Sequence, residues 1–174
     1  MLIELTKLEN MPVGAMDEGA AIGKVKRALV SPEEKKLLGI TVKTAAFFGK
    51  ILVAAIQDIV DIDRDGVVIR SRESLVAPDE IVRIKEISKK KFSLIGLRAK
   101  SKSGKTLGRV SDAVVETETG AICRLYVKSF FQELVFARSQ IEKITWTEVI
   151  FKTEREAKAK VKESLSAQKV PEIA

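Results

Sequence analysis

The 174 residues include no histidine and only one cysteine, one tryptophan, one tyrosine and four prolines. Without histidine, neither a Ser-His-Asp nor a Cys-His nucleophilic arrangement can be built, and the commonest zinc ligand is missing. One cysteine, Cys123, excludes an intramolecular disulfide; its neighbours Ile122 and Leu125 place it on a strand, where packing accounts for it. Aromatic residues make up 5% of the chain, too few for an interleaved series of stacking platforms on which single-stranded RNA would lie. No apolar run approaches the roughly 20 residues that a membrane-spanning helix needs, and residues 1–7 show no basic region ahead of an apolar stretch. A cytoplasmic protein without a transmembrane segment is expected.

What is present describes a folded chain: 45% hydrophobic and 32% charged residues, with a formal net charge of +7. Lysines and arginines that neutralise phosphates gain affinity through counterion release. Here they are scattered, at Lys24, Lys26, Arg27, Lys35, Lys36, Lys89 to Lys91, Lys100, Lys102 and Lys105, which is the usual pattern of a solvated surface.

The chain repeats itself. Ile22-Gly23-Lys24-Val25 matches Leu107-Gly108-Arg109-Val110 at a shift of 85, since 108 − 23 = 85, and the same shift carries Gly19 to Gly104, Leu37 to Ile122, Ile40 to Leu125 and Val42-Lys43 to Val127-Lys128. Further on the shift becomes 82, aligning Leu52-Val53 with Leu134-Val135, Gln57-Asp58-Ile59 with Ser139-Gln140-Ile141, and Val67-Val68-Ile69 with Val149-Ile150-Phe151. A three-residue change belongs in a loop between the second and third strands of each copy, because a slip inside a strand would turn its faces over.

Local signals within each copy are β. Strands are expected at 23–30, 37–42, 51–56 and 67–70, and again at 108–115 and 122–127, with turns at Pro32 to Lys35, Glu118 to Gly120 and Asp65-Gly66. The expected fold is mainly β: two tandem small antiparallel barrels spanning 1–76 and 92–152. A linker over 77–91 holds a short helix that starts at Ala77-Pro78-Asp79-Glu80 and buries Ile81, Ile84 and Ile87. Residues 153–174 form a C-terminal helix or tail opened by the capping-box pattern Thr153 to Glu156.

At these repeated residues the chain resembles the PRC-barrel family, which includes the cytoplasmic domain of the photosynthetic reaction-centre H subunit and the C-terminal domain of a ribosome-maturation factor. The resemblance rests on the Gly-Lys-Val or Gly-Arg-Val strand, an acidic turn, a Leu-X-Val strand, and an apolar strand running into Gln57-Asp58-Ile59 or Ser139-Gln140-Ile141. The H subunit's membrane helix and the maturation factor's separate N-terminal domain have no counterpart in these residues. The resemblance implies a non-enzymatic module that docks on proteins.

Two segments look like sites and are better read otherwise. Asp61 to Gly66 matches the first half of an EF-hand loop, but Arg72 stands where the bidentate glutamate belongs and the flanks are β. Ser103 to Thr106 ends like a P-loop, yet Ala99 replaces its first glycine and a strand follows. No catalytic residue, cofactor or metal ligand is nominated. The candidate site is the pair Phe47-Phe48 and its equivalent Phe130-Phe131, in the same inter-strand loop of both copies. Successive side chains of a strand face opposite ways, so two adjacent aromatics cannot both point inward. Either the loop folds back and caps the barrel's own core, or the pairs form an exposed apolar contact for the other repeat, a second copy of the chain, another protein or a membrane surface. The chain as a whole is read as a protein-protein interaction adaptor, with an RNA or ribosome-associated assembly factor and a peripheral membrane or cell-division scaffold as alternatives.

Overall fold

The computed structural model describes residues 1–44 and 49–154. Among them thirteen strands and two short helices follow in order: β1 Leu2–Glu4, α1 Leu5–Leu8, β2 Pro12–Ala15, β3 Ala20–Ser31, β4 Lys36–Thr44, β5 Ile51–Ala55, β6 Ile59–Ile62, β7 Val67–Ile69, α2 Val82–Lys89, β8 Arg98–Ser101, β9 Thr106–Glu116, β10 Ile122–Lys128, β11 Glu133–Ala137, β12 Ile141–Ile144 and β13 Glu148–Phe151. They form two sheets of identical strand order, β5-β4-β3-β2-β7-β6 and β11-β10-β9-β8-β13-β12, with β1 added to the second. The connection between the second and third repeated strands is where the copies differ in length, as the change of shift requires.

Two features of the expected barrels are corrected. The sheets are mixed, because β2 pairs in parallel with β7, and β8 with β13. The last strand of each copy returns beside the first after a crossover through four other strands, long enough to permit a parallel pair where a hairpin would not. Nor does either sheet close: among the described residues no ladder joins β5 to β6 or β11 to β12. On the first sheet the outer edge of β5 is taken by Val76, whose backbone exchanges hydrogen bonds of 2.8 and 3.0 Å with Val53. The linker helix also starts later than expected. Glu80 accepts the Ala77 N–H through its side chain and returns its own N–H to the Ala77 carbonyl, closing an isolated turn before the extended Ile81. Ile84 and Ile87 are buried as the spacing required. The C-terminal helix expected from Thr153 falls on 155–174, outside the described residues.

The halves meet in a two-fold-like way. Lys36 pairs antiparallel with Ala121, its own repeat equivalent. The Leu37 N–H donates to the Gly120 carbonyl at 2.7 Å and the Ile122 N–H to the Lys35 carbonyl at 3.1 Å, two bonds related by the shift of 85. Gly120 is required here: a Cβ would lie 2.7 Å from the Leu37 carbonyl oxygen. Arg138 ties the seam from one side only, donating to the carbonyls of Lys35 and Ile122 at 2.7 and 3.1 Å, while Lys35 Nζ reaches the carbonyls of Ile141 and Glu142. The Glu116 carboxylate, held by the Thr119 hydroxyl and the N–H groups of Glu118 and Thr119, has its pKa pulled down to about 2 and fixes the second hairpin at this seam.

Each half lends its leading segment to the other. β1 pairs with β9, and Thr6 donates its hydroxyl and N–H to the Asp112 carboxylate, while α2 packs on β3. Buried side chains of both sheets consequently form one continuous core. Deleting residues 1–4 is therefore expected to accelerate amide exchange at Val115 and Thr117, in the distant half, more than at β3. Hydrogen exchange read by mass spectrometry checks this, and equal acceleration in β3 would contradict the exchange of segments.

Candidate interaction surface

Ser129 donates both its N–H, at 2.9 Å, and its hydroxyl, at 3.2 Å, to the Gln132 carbonyl, closing a tight turn between β10 and β11. Residues at the tip of so short a turn cannot reach the core. Phe130 and Phe131 accordingly stand in solvent, at 101% and 97% of their full accessible area, which exposes more apolar surface than any other neighbouring pair among the described residues. The expectation that they do not both point inward is thus met by their both pointing out. Phe47 and Phe48 lie outside the described residues.

Beside the tip runs a shallow groove along Leu107, Gly108, Arg109, Lys128 and Phe130, with Arg98 at its rim. Its floor depends on Gly108, where a Cβ would lie 2.3 Å from the Lys128 carbonyl oxygen. Arg109 is steadied by donating to the Gly96 carbonyl at 2.8 Å. The first sheet carries the equivalent groove along Ala21, Gly23, Lys24, Lys43 and Thr44, again with a glycine backing a lysine carbonyl. The repeated Gly-Lys-Val and Gly-Arg-Val motifs are thus sites of close strand approach, and the basic residue of each lines a groove.

The two segments that resemble metal and nucleotide loops are structural. The Asp63 carboxylate accepts the N–H groups of Asp65 and Gly66 at 2.7 and 3.0 Å and so caps the β6–β7 turn. Gly104 sits at φ +91° in the β8–β9 hairpin, whose Ser101, Ser103 and Lys105 side chains hold the Glu154 carboxylate. Those contacts, Ser103 first and then Lys105, lower the Glu154 pKa. The matching hairpin of the first half holds a clasp of opposite sense, Arg72 donating to the Glu18 carboxylate at 2.5 and 2.7 Å and lowering its pKa. Among the described residues no group of three or more His, Cys, Asp or Glu side chains gathers as metal ligands would.

Sequence reasoning did not anticipate the place of β11, whose outer edge ends the second sheet among the described residues. Strand order is a long-range property, and a single strand's composition does not say whether it lies inside a sheet or at its rim. Arg98 was missed for the same reason, since it reaches the groove only through the pairing of β8 with β9.

Two mixed β-sheets sharing a core, with a projecting aromatic tip, are the frame of a small β protein. Residues 1–76 match the family model of the PRC-barrel domain. No curated protein matches the chain. Among the described residues no helix is long and apolar enough to cross a membrane.

Proposed function

We propose that the protein is a non-catalytic cytoplasmic adaptor, built from two PRC-barrel-type units, that docks on a partner protein through the Phe130-Phe131 tip. The observation that carries this reading is the complete exposure of two adjacent phenylalanines on a closed turn. Leaving both side chains in water forgoes roughly 1.5–3 kcal/mol each that burial would return, so the tip stands ready to gain affinity from an apolar contact. The PRC-barrel match adds support, because the family consists of small β domains often used as interaction modules.

Phe130→Ser/Phe131→Ser in the full chain is expected to abolish partner capture from nuclease-treated lysate while changing folding stability by less than about 0.5 kcal/mol, as for exposed positions generally. Unfolding of the variant, or unchanged capture, would sink the reading. A second reading, contact with an anionic lipid surface, is favoured by Arg98 and Lys128 beside the aromatic tip. Flotation with vesicles that contain or lack anionic lipid separates the two.

A further inference from the structure

The two halves treat one sheet edge differently. In the first, the outer edge of β5 is met by a strap that follows β7, a 3-10 turn over Arg72–Ser74 leading into extended Leu75 and Val76: Val53 and Val76 exchange backbone hydrogen bonds, Leu75 is buried, and Val53 is fully buried. β11 occupies the same place in the second sheet, and its register on β10 repeats that of β5 on β4, with Tyr126 opposite Val135 as Thr41 is opposite Val53. Val135 therefore turns its N–H and C=O outward as Val53 does. Yet Val135 is only half-buried. The shift of 82 that aligns the preceding strands places Ala157 and Lys158 where the first half has Leu75 and Val76. Alanine and lysine supply neither the apolar anchor nor the β-branched residue that seat the strap.

We infer that the outer edge of β11 is a strand-docking site, filled by an extended aliphatic segment of a partner protein that pairs antiparallel with Val135. The occupant is specified by the molecule itself, because Leu75 and Val76, the extended end of the strap, show which chemistry covers this edge of this sheet. Main-chain pairing supplies the attachment and side-chain pockets the selectivity, as in other strand additions. An antiparallel occupant brings its C-terminal side toward Lys128 and the Phe130-Phe131 tip, so the aromatic pair and the edge form one continuous surface. The inference rests on the adaptor reading and names how the partner is held.

The test uses the full chain and a synthetic peptide of its own residues 71–78 as probe. In the free protein the Val135 amide should exchange with solvent far faster than that of Val53, read by NMR. Saturating peptide should slow Val135 at least about tenfold, as closing an exposed edge does. Val135→Pro should erase that effect without breaking the β10 ladder, because the N–H it removes faces outward. A peptide N-methylated at its Val76 position should likewise fail, and it keeps the test decisive where the proline variant does not fold. Val135 as protected as Val53 in the free chain, or unmoved by the peptide, overturns the inference. Capture lost with Phe130→Ser/Phe131→Ser but kept with a folded Val135→Pro would overturn the edge and leave the adaptor standing; protection of Val135 together with unaltered capture in the serine variant would do the reverse.

Discussion

Gly108→Ala is expected to cost about 3 kcal/mol or more of folding stability, because it combines two penalties that Gly104 and Gly23 carry separately. Gly108 lies at φ +140°, where a side chain is strained, and its Cβ would meet the Lys128 carbonyl oxygen at 2.3 Å and the carbonyl carbon at 2.8 Å. Both obstacles are backbone, so relief requires β9 and β10 to part. Gly104 gives the control: it has φ +91° but nothing within 4 Å of where a methyl group would sit, so alanine there should cost only about 1 kcal/mol. Gly23, the repeat equivalent of Gly108, has no positive φ but a 2.6 Å approach to the Lys43 carbonyl oxygen, and should fall between them. Urea unfolding of the three variants measures this order. A Gly108→Ala cost no greater than that of Gly104→Ala would mean that the strands do not approach so closely. Because the Lys128 carbonyl precedes the aromatic turn, a folded Gly108→Ala protein should also present Phe130 and Phe131 differently.

The other large effect is expected at Phe136. Its ring stacks on Phe151 with centroids 4.0 Å apart and planes inclined by 24°, and both side chains are fully buried. The first half holds Ala54 and Ile69 at the equivalent positions, so the two copies fill their cores with different volumes. Phe136→Ala installs the residue of one copy into the surroundings of the other. It should cost about 3–5 kcal/mol through lost transfer energy and an unfilled cavity, including the roughly 0.5–1.5 kcal/mol of the aromatic pair. The core is continuous across both sheets, so the loss should lower a single cooperative transition. Amide signals from β3 and fluorescence of Trp146 would follow one curve. Separate transitions would show that the halves do not share a core energetically.

The repeat was legible because strands carry their glycines and apolar residues at fixed spacing. Gly23 and Gly108 both mark close approach to the next strand, and the change of shift from 85 to 82 falls in the loop preceding β5 and β11. Strand parity said only that two adjacent aromatics could not both point inward; that both Phe130 and Phe131 stand in solvent follows from the tight Ser129–Gln132 turn. Three other features were not legible. β2, Pro12–Ala15, and β8, Arg98–Ser101, have too few β-branched residues to announce strands, and their place between two longer neighbours comes from tertiary pairing. The exchange of leading segments depends on contacts between residues more than 100 positions apart, such as Thr6 with Asp112, for which no local pattern exists. The acids of Asp79-Glu80, read as dipole partners of a helix, instead adjoin a turn in which Glu80 bonds the Ala77 amide.

The seam at Lys36 and Ala121 resembles the axis of a symmetric dimer, but both sides belong to one polypeptide. Covalent linkage of this kind sets an effective concentration on the order of millimolar, so the halves find each other at any dilution of the protein. It also frees them from identity. Two identical subunits must repeat every substitution across their axis and would offer both sheet edges or neither. Here Arg138 stands opposite a position held by Ile56, and a strap covers Val53 but leaves Val135 half-buried. On the reading proposed above, the β11 edge would therefore take one strand per chain, where a symmetric pair would offer two equivalent edges.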